Sequence, residues 1–119
     1  MKIVQTFSNS DGSSAMEEIE IEAETSDFIP GHTAIGVSPA LTAKTARFLE
    51  VPGNWSSGWH PTPVQQYVVP LSGGFKIETG DGQTREFRPG EMILLNDTTG
   101  RGHFTTFLGD SWILAVALE

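Results

Sequence analysis

The 119-residue sequence contains no cysteine. Disulfide frameworks, thiolate zinc sites and thiol nucleophiles are therefore excluded. A chain without cysteine suits the reducing cytosol, and we predict a cytoplasmic location. No apolar run approaches the roughly 20 residues of a membrane-spanning helix, and the N-terminal segment Met1–Gln5 turns polar too soon for a signal peptide.

Basic residues are scarce. Seven lysines and arginines stand against 15 acidic residues, which gives a formal net charge of −8 at pH 7. Binding to nucleic-acid phosphates depends on basic surface, and anionic membranes attract the same kind of surface. We therefore expect neither a nucleic acid nor a membrane as a partner.

A helical pattern is also missing, since no window of a dozen residues has a clean apolar period of 3.6. Thirteen glycines and seven prolines instead separate short apolar and β-branched segments. Many short strands between turns are typical of a sandwich or barrel, and at this length we predict an all-β jelly-roll barrel. The predicted strands are Lys2–Phe7, Thr45–Val51, Gln65–Val69 within Trp59–Leu71, Gly74–Thr79, Thr84–Phe87, Glu91–Leu95, Gly102–Leu108 and Ser111–Leu118.

Two features of the N-terminal third are informative. Isoleucine or alanine alternates with glutamate from Glu18 to Glu24, which predicts an edge strand with one solvent-exposed face. Phe28–Pro39 holds two prolines and two glycines and is predicted to be a loop or an irregular edge strand. His32 lies in this loop, and we expect it on the surface.

The other two histidines are the candidate chemical groups. His60 lies at the start of a strand-like segment, and His103 lies in the segment Gly102–Leu108. We expect these two strands to meet inside the barrel. Strand alternation places further residues on the two histidine faces, namely Thr62, Val64, Gln66 and Val68 with His60, and Thr105 and Phe107 with His103.

A spaced pattern surrounds each of these histidines. The first runs His60, Thr62, Gln66 and Gly73, and the second runs Gly90, Gly100, His103 and Phe107. From about Thr45 to Leu118 the chain resembles the cupin superfamily, whose first motif carries His-x-His and a glutamate and whose second motif carries another histidine. His60 and His103 stand at the first and last of these positions. Thr62 replaces the second histidine, Gln66 the glutamate, and Phe107 the closing asparagine.

The resemblance implies a cupin jelly roll in which one divalent metal is held at four positions, which here are His60, Thr62, Gln66 and His103. This chain keeps two of them, because Thr62 offers a neutral hydroxyl and Gln66 an uncharged carbonyl oxygen. Loss of the carboxylate charge lowers the affinity for iron, manganese, nickel or zinc. Asp97 and the more distant Glu91 are the nearby acids that could restore it.

Three interpretations stay open at this point. A divalent transition metal is held by His60, Gln66, His103 and water. Alternatively the pocket holds no metal, the histidines carry protons or donate hydrogen bonds, and Gln66 orients the substrate. In the third, both histidines serve only packing and internal hydrogen bonds. The protein is accordingly an oxygenase, isomerase or lyase type of enzyme, or a non-catalytic metabolite-binding or sensing module.

The predicted pocket is mostly apolar with a few polar groups, the general form of a small-molecule site. The predicted catalytic residues are His60, Gln66 and His103. The predicted ligand-binding residues are Thr62, Val64, Tyr67, Phe75, Thr105 and Phe107. No lysine or arginine falls on the predicted inner face, so we expect a small, mostly apolar organic ligand.

The whole chain, residues 1–119, is predicted to be one domain. Residues 1–44 would supply N-terminal strands and a loop, and residues 45–119 the cupin motifs. Barrels of this superfamily often pair through edge strands, so the resemblance also implies a homodimer.

Overall fold

The computed structural model describes residues 1–118 as an all-β chain. The predicted domain ends at Glu119, which lies outside the described residues. Within them the strands are β1 (Lys2–Ser8), β2 (Ser14–Glu20), β3 (Glu24–Ser26), β4 (Ile35–Val37), β5 (Thr45–Val51), β6 (Ser56–His60), β7 (Gln66–Ser72), β8 (Phe75–Glu78), β9 (Thr84–Phe87), β10 (Ile93–Leu95), β11 (His103–Phe107) and β12 (Ser111–Ala117).

Two sheets form the body of the molecule. One has six strands in the order β2-β1-β10-β7-β12-β5, and the other has four in the order β6-β11-β8-β9. β1 and β10 run parallel, whereas the remaining neighbours are antiparallel. Apart from the β1–β2 and β8–β9 pairs, the neighbours in these two sheets are non-consecutive in sequence, as in a jelly roll. The prediction of an all-β jelly roll is thereby confirmed.

The core lies between the sheets. Phe75, Ile77, Phe87, Ile93 and Phe107 are buried there. On β8 the buried residues alternate with partly exposed ones, whereas all three residues of β10 are buried. The ring of Phe75 packs on both other phenylalanines, with centroids 5.4 and 5.8 Å away. Each such side chain contributes about 1.5–3 kcal/mol of burial free energy. The apolar positions of short strands thus build a single core.

Two predicted segments differ from the structure by more than a shift of one or two residues at their ends. The Trp59–Leu71 segment breaks after His60, and the chain has changed sheets by Gln66. Pro61 and Pro63 lie in the break, where their missing N–H groups cost no ladder hydrogen bonds. The alternating stretch also differs, because β2 begins at Ser14 and ends at Glu20 before the alternation is complete. β2 is an edge strand, as its glutamates indicate.

The two long sides of the sandwich differ. On one side, which we call the closed side, β2 contacts both β9 and the turn between β8 and β9 in the other sheet. The N–H of Gly80 donates to Oγ of Ser14 at 2.9 Å, and Arg85 forms an exposed ion pair with Glu18 at 3.3 Å. On the opposite, open side the edge strands are β5 and β6, which belong to different sheets and share no ladder in the described part of the chain.

Residues 22–44, here called the arm, link the two edges of the six-stranded sheet. Part of the predicted Phe28–Pro39 loop is a strand, since Ile35–Val37 pairs with Glu24–Ser26. This β3–β4 pair forms a separate two-stranded sheet. His32 lies in the arm and is exposed, where the loop prediction expected it.

Candidate functional site

A cavity of about 160 Å³ lies between the sheets toward the open side. The six-stranded sheet contributes residues from β5, β7, β10 and β12, and the other sheet contributes β6, β8 and β11. The lining consists of Leu49, Trp55, Ser57, His60, Gln66, Val68, Phe75, Ile77, Leu95, His103, Thr105, Phe107, Ile113 and Ala115. Apolar side chains therefore surround a small polar group that includes both histidines.

His60 and His103 lie side by side on neighbouring strands. They are direct cross-strand partners in the β6–β11 ladder, and their ring centroids are 5.0 Å apart. The two strands do meet inside the sandwich. They meet as neighbours in one sheet, so the imidazoles project together from one wall of the cavity.

Gly102 allows this close pairing. Its φ of 73° lies in the left-handed region that favours glycine. A Cβ at this position would collide with the carbonyl of His60. The carbonyl of Gly102 also accepts a hydrogen bond from Oγ of Ser14 at 2.6 Å, which anchors the turn that carries His103.

His103 is held by a buried carboxylate. Its Nδ1–H donates to Oδ2 of Asp97 at 2.7 Å, and the two side chains are 2% and 0% exposed. The other oxygen of Asp97, Oδ1, accepts from the hydroxyl of Thr6 at 2.7 Å. Thr6 is itself fixed by the N–H of Asn96 at 3.0 Å. Both carboxylate oxygens are thus engaged, as a buried charge requires.

His60 has the same tautomer for a different reason. Its Nδ1–H donates to the carbonyl of Gly58 at 3.2 Å, because a carbonyl can only accept. Among residues 1–118, no hydrogen bond to Nε2 of His60 or His103 is present, and no buried side-chain nitrogen or oxygen lacks a partner. Nε2 of His103 is therefore open to the cavity. In the neutral tautomers both rings offer an Nε2 lone pair.

Gln66 is positioned through Thr62. Its Nε2 donates to the hydroxyl of Thr62 at 3.1 Å, and that hydroxyl donates to the carbonyl of Val64 at 2.7 Å. The N–H of Thr62 donates to the carbonyl of Asp97 at 3.1 Å. Asp97 therefore connects to His103 through its side chain and to the Gln66 segment through its backbone.

Six of the nine predicted site residues line the cavity: His60, Gln66, Phe75, His103, Thr105 and Phe107. Thr62, Val64 and Tyr67 do not. Thr62 is buried behind Gln66, and Val64 lies in the connection between sheets. Tyr67 alternates with cavity-lining Val68 on β7 and so projects from the other face.

Sequence reasoning missed three groups at this site. Thr6 is distant in the chain, and Asp97 was considered only as a metal ligand. Trp55 packs edge-to-face on Phe107 with centroids 5.8 Å apart and borders the cavity. Strand alternation could not identify Trp55, because it precedes β6, and no local signal links Thr6 to the histidines.

The donor set does not fit a resident divalent metal. Within residues 1–118, no three His, Cys, Asp or Glu side chains come together as a metal site. Both carboxylate oxygens of Asp97 already accept hydrogen bonds, from Thr6 and His103. Glu91 is exposed and accepts a hydrogen bond from the N–H of Arg88 at 2.8 Å. Two imidazoles and a neutral amide leave a cation without a charged ligand.

A larger groove of about 430 Å³ lies elsewhere, where β1, β2 and β9 contribute Lys2, Glu18, Arg85 and Glu86 to its lining. It includes no histidine. We take the smaller cavity as the candidate site, because its buried histidine–carboxylate pair is a specific chemical group.

The layers and the position of this cavity define a cupin-like jelly roll, and solved structures share it. Protein NMB1881 from Neisseria meningitidis superposes with a TM-score of 0.52 over 62% of this chain and 72% of its own, at 18% identity. A Salmonella typhimurium LT2 protein described as ethanolamine utilization protein Q superposes with a TM-score of 0.52 over 99% of this chain and 95% of its own, at 14% identity. At such identities the likeness is one of fold alone.

No family model and no curated protein matches the sequence. Residues 1–118 contain no helix that could span a membrane.

Proposed function

We propose that this protein binds a small, mostly apolar organic molecule in the cavity and acts on it by metal-free acid–base chemistry, as an isomerase or lyase. The observation that carries the proposal is the hydrogen bond of 2.7 Å between Nδ1 of His103 and the buried carboxylate of Asp97. A carboxylate behind an imidazole fixes the tautomer and stabilises the cation that forms when the ring takes a proton.

In the proposed reaction His103 is the general base. Its Nε2 lone pair takes a proton from the bound molecule, and the C–H or O–H bond electrons remain on the substrate. His103 then returns this proton from Nε2 to a second atom of the small substrate, which restores the neutral ring. His60, whose ring centroid is 5.0 Å away, offers its Nε2 lone pair as a hydrogen-bond acceptor to the substrate. Asp97 is a positioning residue here, because it touches His103 and is separated from the cavity by it.

The cavity limits the ligand. A cavity of about 150 Å³ holds a molecule of the size of benzene, and this one measures about 160 Å³. Its lining has no lysine, arginine or carboxylate, so a multiply charged ligand would lose hydration without gaining a partner. We therefore propose a neutral compound with an apolar body and one carbonyl or hydroxyl, which the Gln66 amide can contact.

The test combines binding with proton exchange. A panel of small ketones, aldehydes and enols is incubated with the protein in D₂O, and NMR records both binding and deuterium entry at carbon. Catalysis predicts exchange that is reduced about 10²–10⁴-fold in His103→Ala. The exposed His32→Ala is the matched control and should retain full exchange.

Binding without exchange in the wild type would support a non-catalytic metabolite-binding module instead. If no compound of this class binds, the proposal is wrong.

A further inference from the structure

The polar side chains of the cavity have hydrogen-bonding capacity that the chain itself does not use. Gly58 and Asp97 engage Nδ1 of His60 and Nδ1 of His103, so each ring keeps a free Nε2. Thr105 donates its backbone N–H, but its hydroxyl has no hydrogen-bond partner within residues 1–118. All three side chains line the cavity. A ligand that displaces water from the cavity must therefore satisfy them.

The amide of Gln66 has a fixed orientation. The hydroxyl of Thr62 donates its only proton to the carbonyl of Val64, so it can only accept from Gln66. The nitrogen of the amide must therefore face Thr62, which leaves one N–H and the oxygen Oε1 of Gln66 for a ligand. Gln66 lies on β7, in the wall opposite the two histidines.

Acceptors outnumber donors among these free groups. With neutral rings, the two Nε2 atoms and Oε1 of Gln66 are acceptors, whereas the N–H of Gln66 and the hydroxyl of Thr105 are donors. A simple ketone brings acceptors only, so it leaves the Nε2 lone pair of His60 unpaired in a site without water, which weakens binding. The cavity thus favours a ligand that carries a hydroxyl group as well as a carbonyl.

The pairing of the histidines places these two groups on adjacent carbons. His60 and His103 are direct cross-strand partners with ring centroids 5.0 Å apart. A hydroxyl that donates to Nε2 of His60 therefore lies near a C–H bond that faces Nε2 of His103. An imidazole base can remove that proton when a carbonyl on the next carbon takes up the electron pair.

We propose, on the basis of the proposed function above, that the substrate is a small α-hydroxy ketone or α-hydroxy aldehyde and that Gln66 and Thr105 together bind the oxyanion of its enediolate. Nε2 of His103 takes the proton from the hydroxyl-bearing carbon. The electron pair of that C–H bond forms the carbon–carbon double bond, and the carbonyl π electrons move onto the oxygen. The N–H of Gln66 and the hydroxyl of Thr105 donate to this negative oxygen.

The remaining steps return every proton. The substrate hydroxyl passes its proton to the adjacent negative oxygen, and His103 returns its own proton to the former carbonyl carbon. The carbonyl and the hydroxyl have then exchanged places. The reaction is an isomerisation that needs no oxidant or reductant.

β11 positions Thr105 for this role. Thr105 follows His103 by two positions, so the two side chains leave the same face of the strand about 7 Å apart. Thr106 projects from the opposite face, where it pairs with Lys76 of β8. Thr106 is therefore a matched control for the loss of one threonine hydroxyl.

The first experiment compares three probes by NMR titration: 3-hydroxy-2-butanone, 2-butanone and 2-butanol. The first has as many non-hydrogen atoms as benzene, the size that a cavity of about 160 Å³ holds. We expect it to bind at least about tenfold more tightly than the other two. His60→Phe, which has no ring lone pair, should remove its advantage over 2-butanone. Equal affinities in the wild type overturn the inference, and so does an advantage that His60→Phe leaves intact.

The second experiment follows 2-hydroxy-3-pentanone in D₂O. The wild type should convert it to 3-hydroxy-2-pentanone with deuterium at the new hydroxyl-bearing carbon. Thr105→Val should lower kcat about 10²-fold with little change in KM, because its hydroxyl acts on the oxyanion. Thr105→Ser should restore most of the rate, and Thr106→Val should keep the wild-type rate. A Thr105→Val variant that also keeps the wild-type rate overturns the role of Thr105.

The substrate class and the proposed function fail in different ways. If 2-butanone exchanges deuterium as fast as the hydroxy ketones, acid–base catalysis stands and the α-hydroxy substrate class is overturned. If no compound exchanges, both are overturned.

Discussion

Nδ1 of His103 and Oδ2 of Asp97 lie 2.7 Å apart with both side chains buried. In Asp97→Asn an amide replaces the charged acceptor, so His103 loses a charge-assisted hydrogen bond and its fixed tautomer. We expect the free energy of unfolding to fall by about 1–3 kcal/mol and ¹⁵N NMR to show both tautomers of His103. Asp27→Asn, at an exposed position, is the control. An unchanged tautomer would contradict the assigned role of Asp97.

The two histidines should differ in their effect on stability. His103 is buried on Asp97, whereas His60 is half-buried and held by one backbone carbonyl. Removing one member of a buried pair costs about 3–5 kcal/mol, so His103→Ala should lower the melting temperature markedly. His60→Ala should stay within a few degrees of the wild type. Calorimetry of the two variants measures this, and equal losses would show that His60 is also structural.

Gly102 should be intolerant of any side chain. Gly102→Ala places a Cβ against the carbonyl of His60 at a φ of 73°, which strains the backbone and separates β6 from β11. We expect a loss of more than about 1 kcal/mol in urea denaturation and altered chemical shifts at both histidines. Gly12→Ala is the matched control, since Gly12 also has positive φ but open space around it. Equal losses of stability in the two variants would show that the positive φ alone, and not the collision with His60, causes the destabilisation.

Metal binding should depend on position 66. The wild type offers two imidazoles and a neutral amide, whereas Gln66→Glu supplies the two-histidine, one-carboxylate set that iron and similar metals prefer. We expect calorimetric titration with Zn²⁺ or Mn²⁺ to give a dissociation constant at least about tenfold lower for Gln66→Glu than for the wild type. Gln65→Glu, one position along the chain, controls for added charge. Stoichiometric, tight metal in the wild type would refute the metal-free proposal.

Acid sensitivity should depend partly on the β8–β9 turn. Desolvation opposes ionisation of Asp81, but hydrogen bonds from Thr79 and Gln83 outweigh it and hold its pKa below the ordinary 3.8. A carboxyl group whose pKa is lower in the folded than in the unfolded state stabilises the protein above pH 3.8. This stabilisation is lost as the pH falls through the pKa of the folded state. Asp81→Asn should therefore be less stable at pH 7 and lose less stability on acidification. Urea denaturation at pH 7 and pH 3 measures this, and an unchanged pH dependence would contradict it.

Local pattern predicted much of the fold. β5 and β9 have the predicted bounds, and β8, β10, β11 and β12 fall within predicted strands, because apolar alternation and flanking glycines act over a few residues. The sheet order and the direct β6–β11 pairing could not be predicted in this way, since they depend on contacts far apart in sequence. The end of β2 at Glu20 was also missed, because alternation continues past the point where β1 offers a partner.

In the candidate site, too, local pattern identified some residues but not the contacts between residues far apart in sequence. His60, Gln66 and His103 were identified from spacing, and the structure brings all three to one cavity. Asp97 looks like an ordinary loop aspartate in the sequence. Its burial and its orientation depend on Thr6, which lies 91 positions away on β1. Tyr67 was assigned to the site although Gln66 and Val68 on the same strand show that it must point away.

The unequal sides of the sandwich have a kinetic consequence. Contacts between β2 and β9 clamp one side, whereas β5 and β6 can separate without breaking a shared ladder. Under the proposed function, we therefore expect a small molecule to enter and leave the cavity through the open side while the folded core stays intact. Contacts that restrain β5 should accordingly slow both its association and its dissociation.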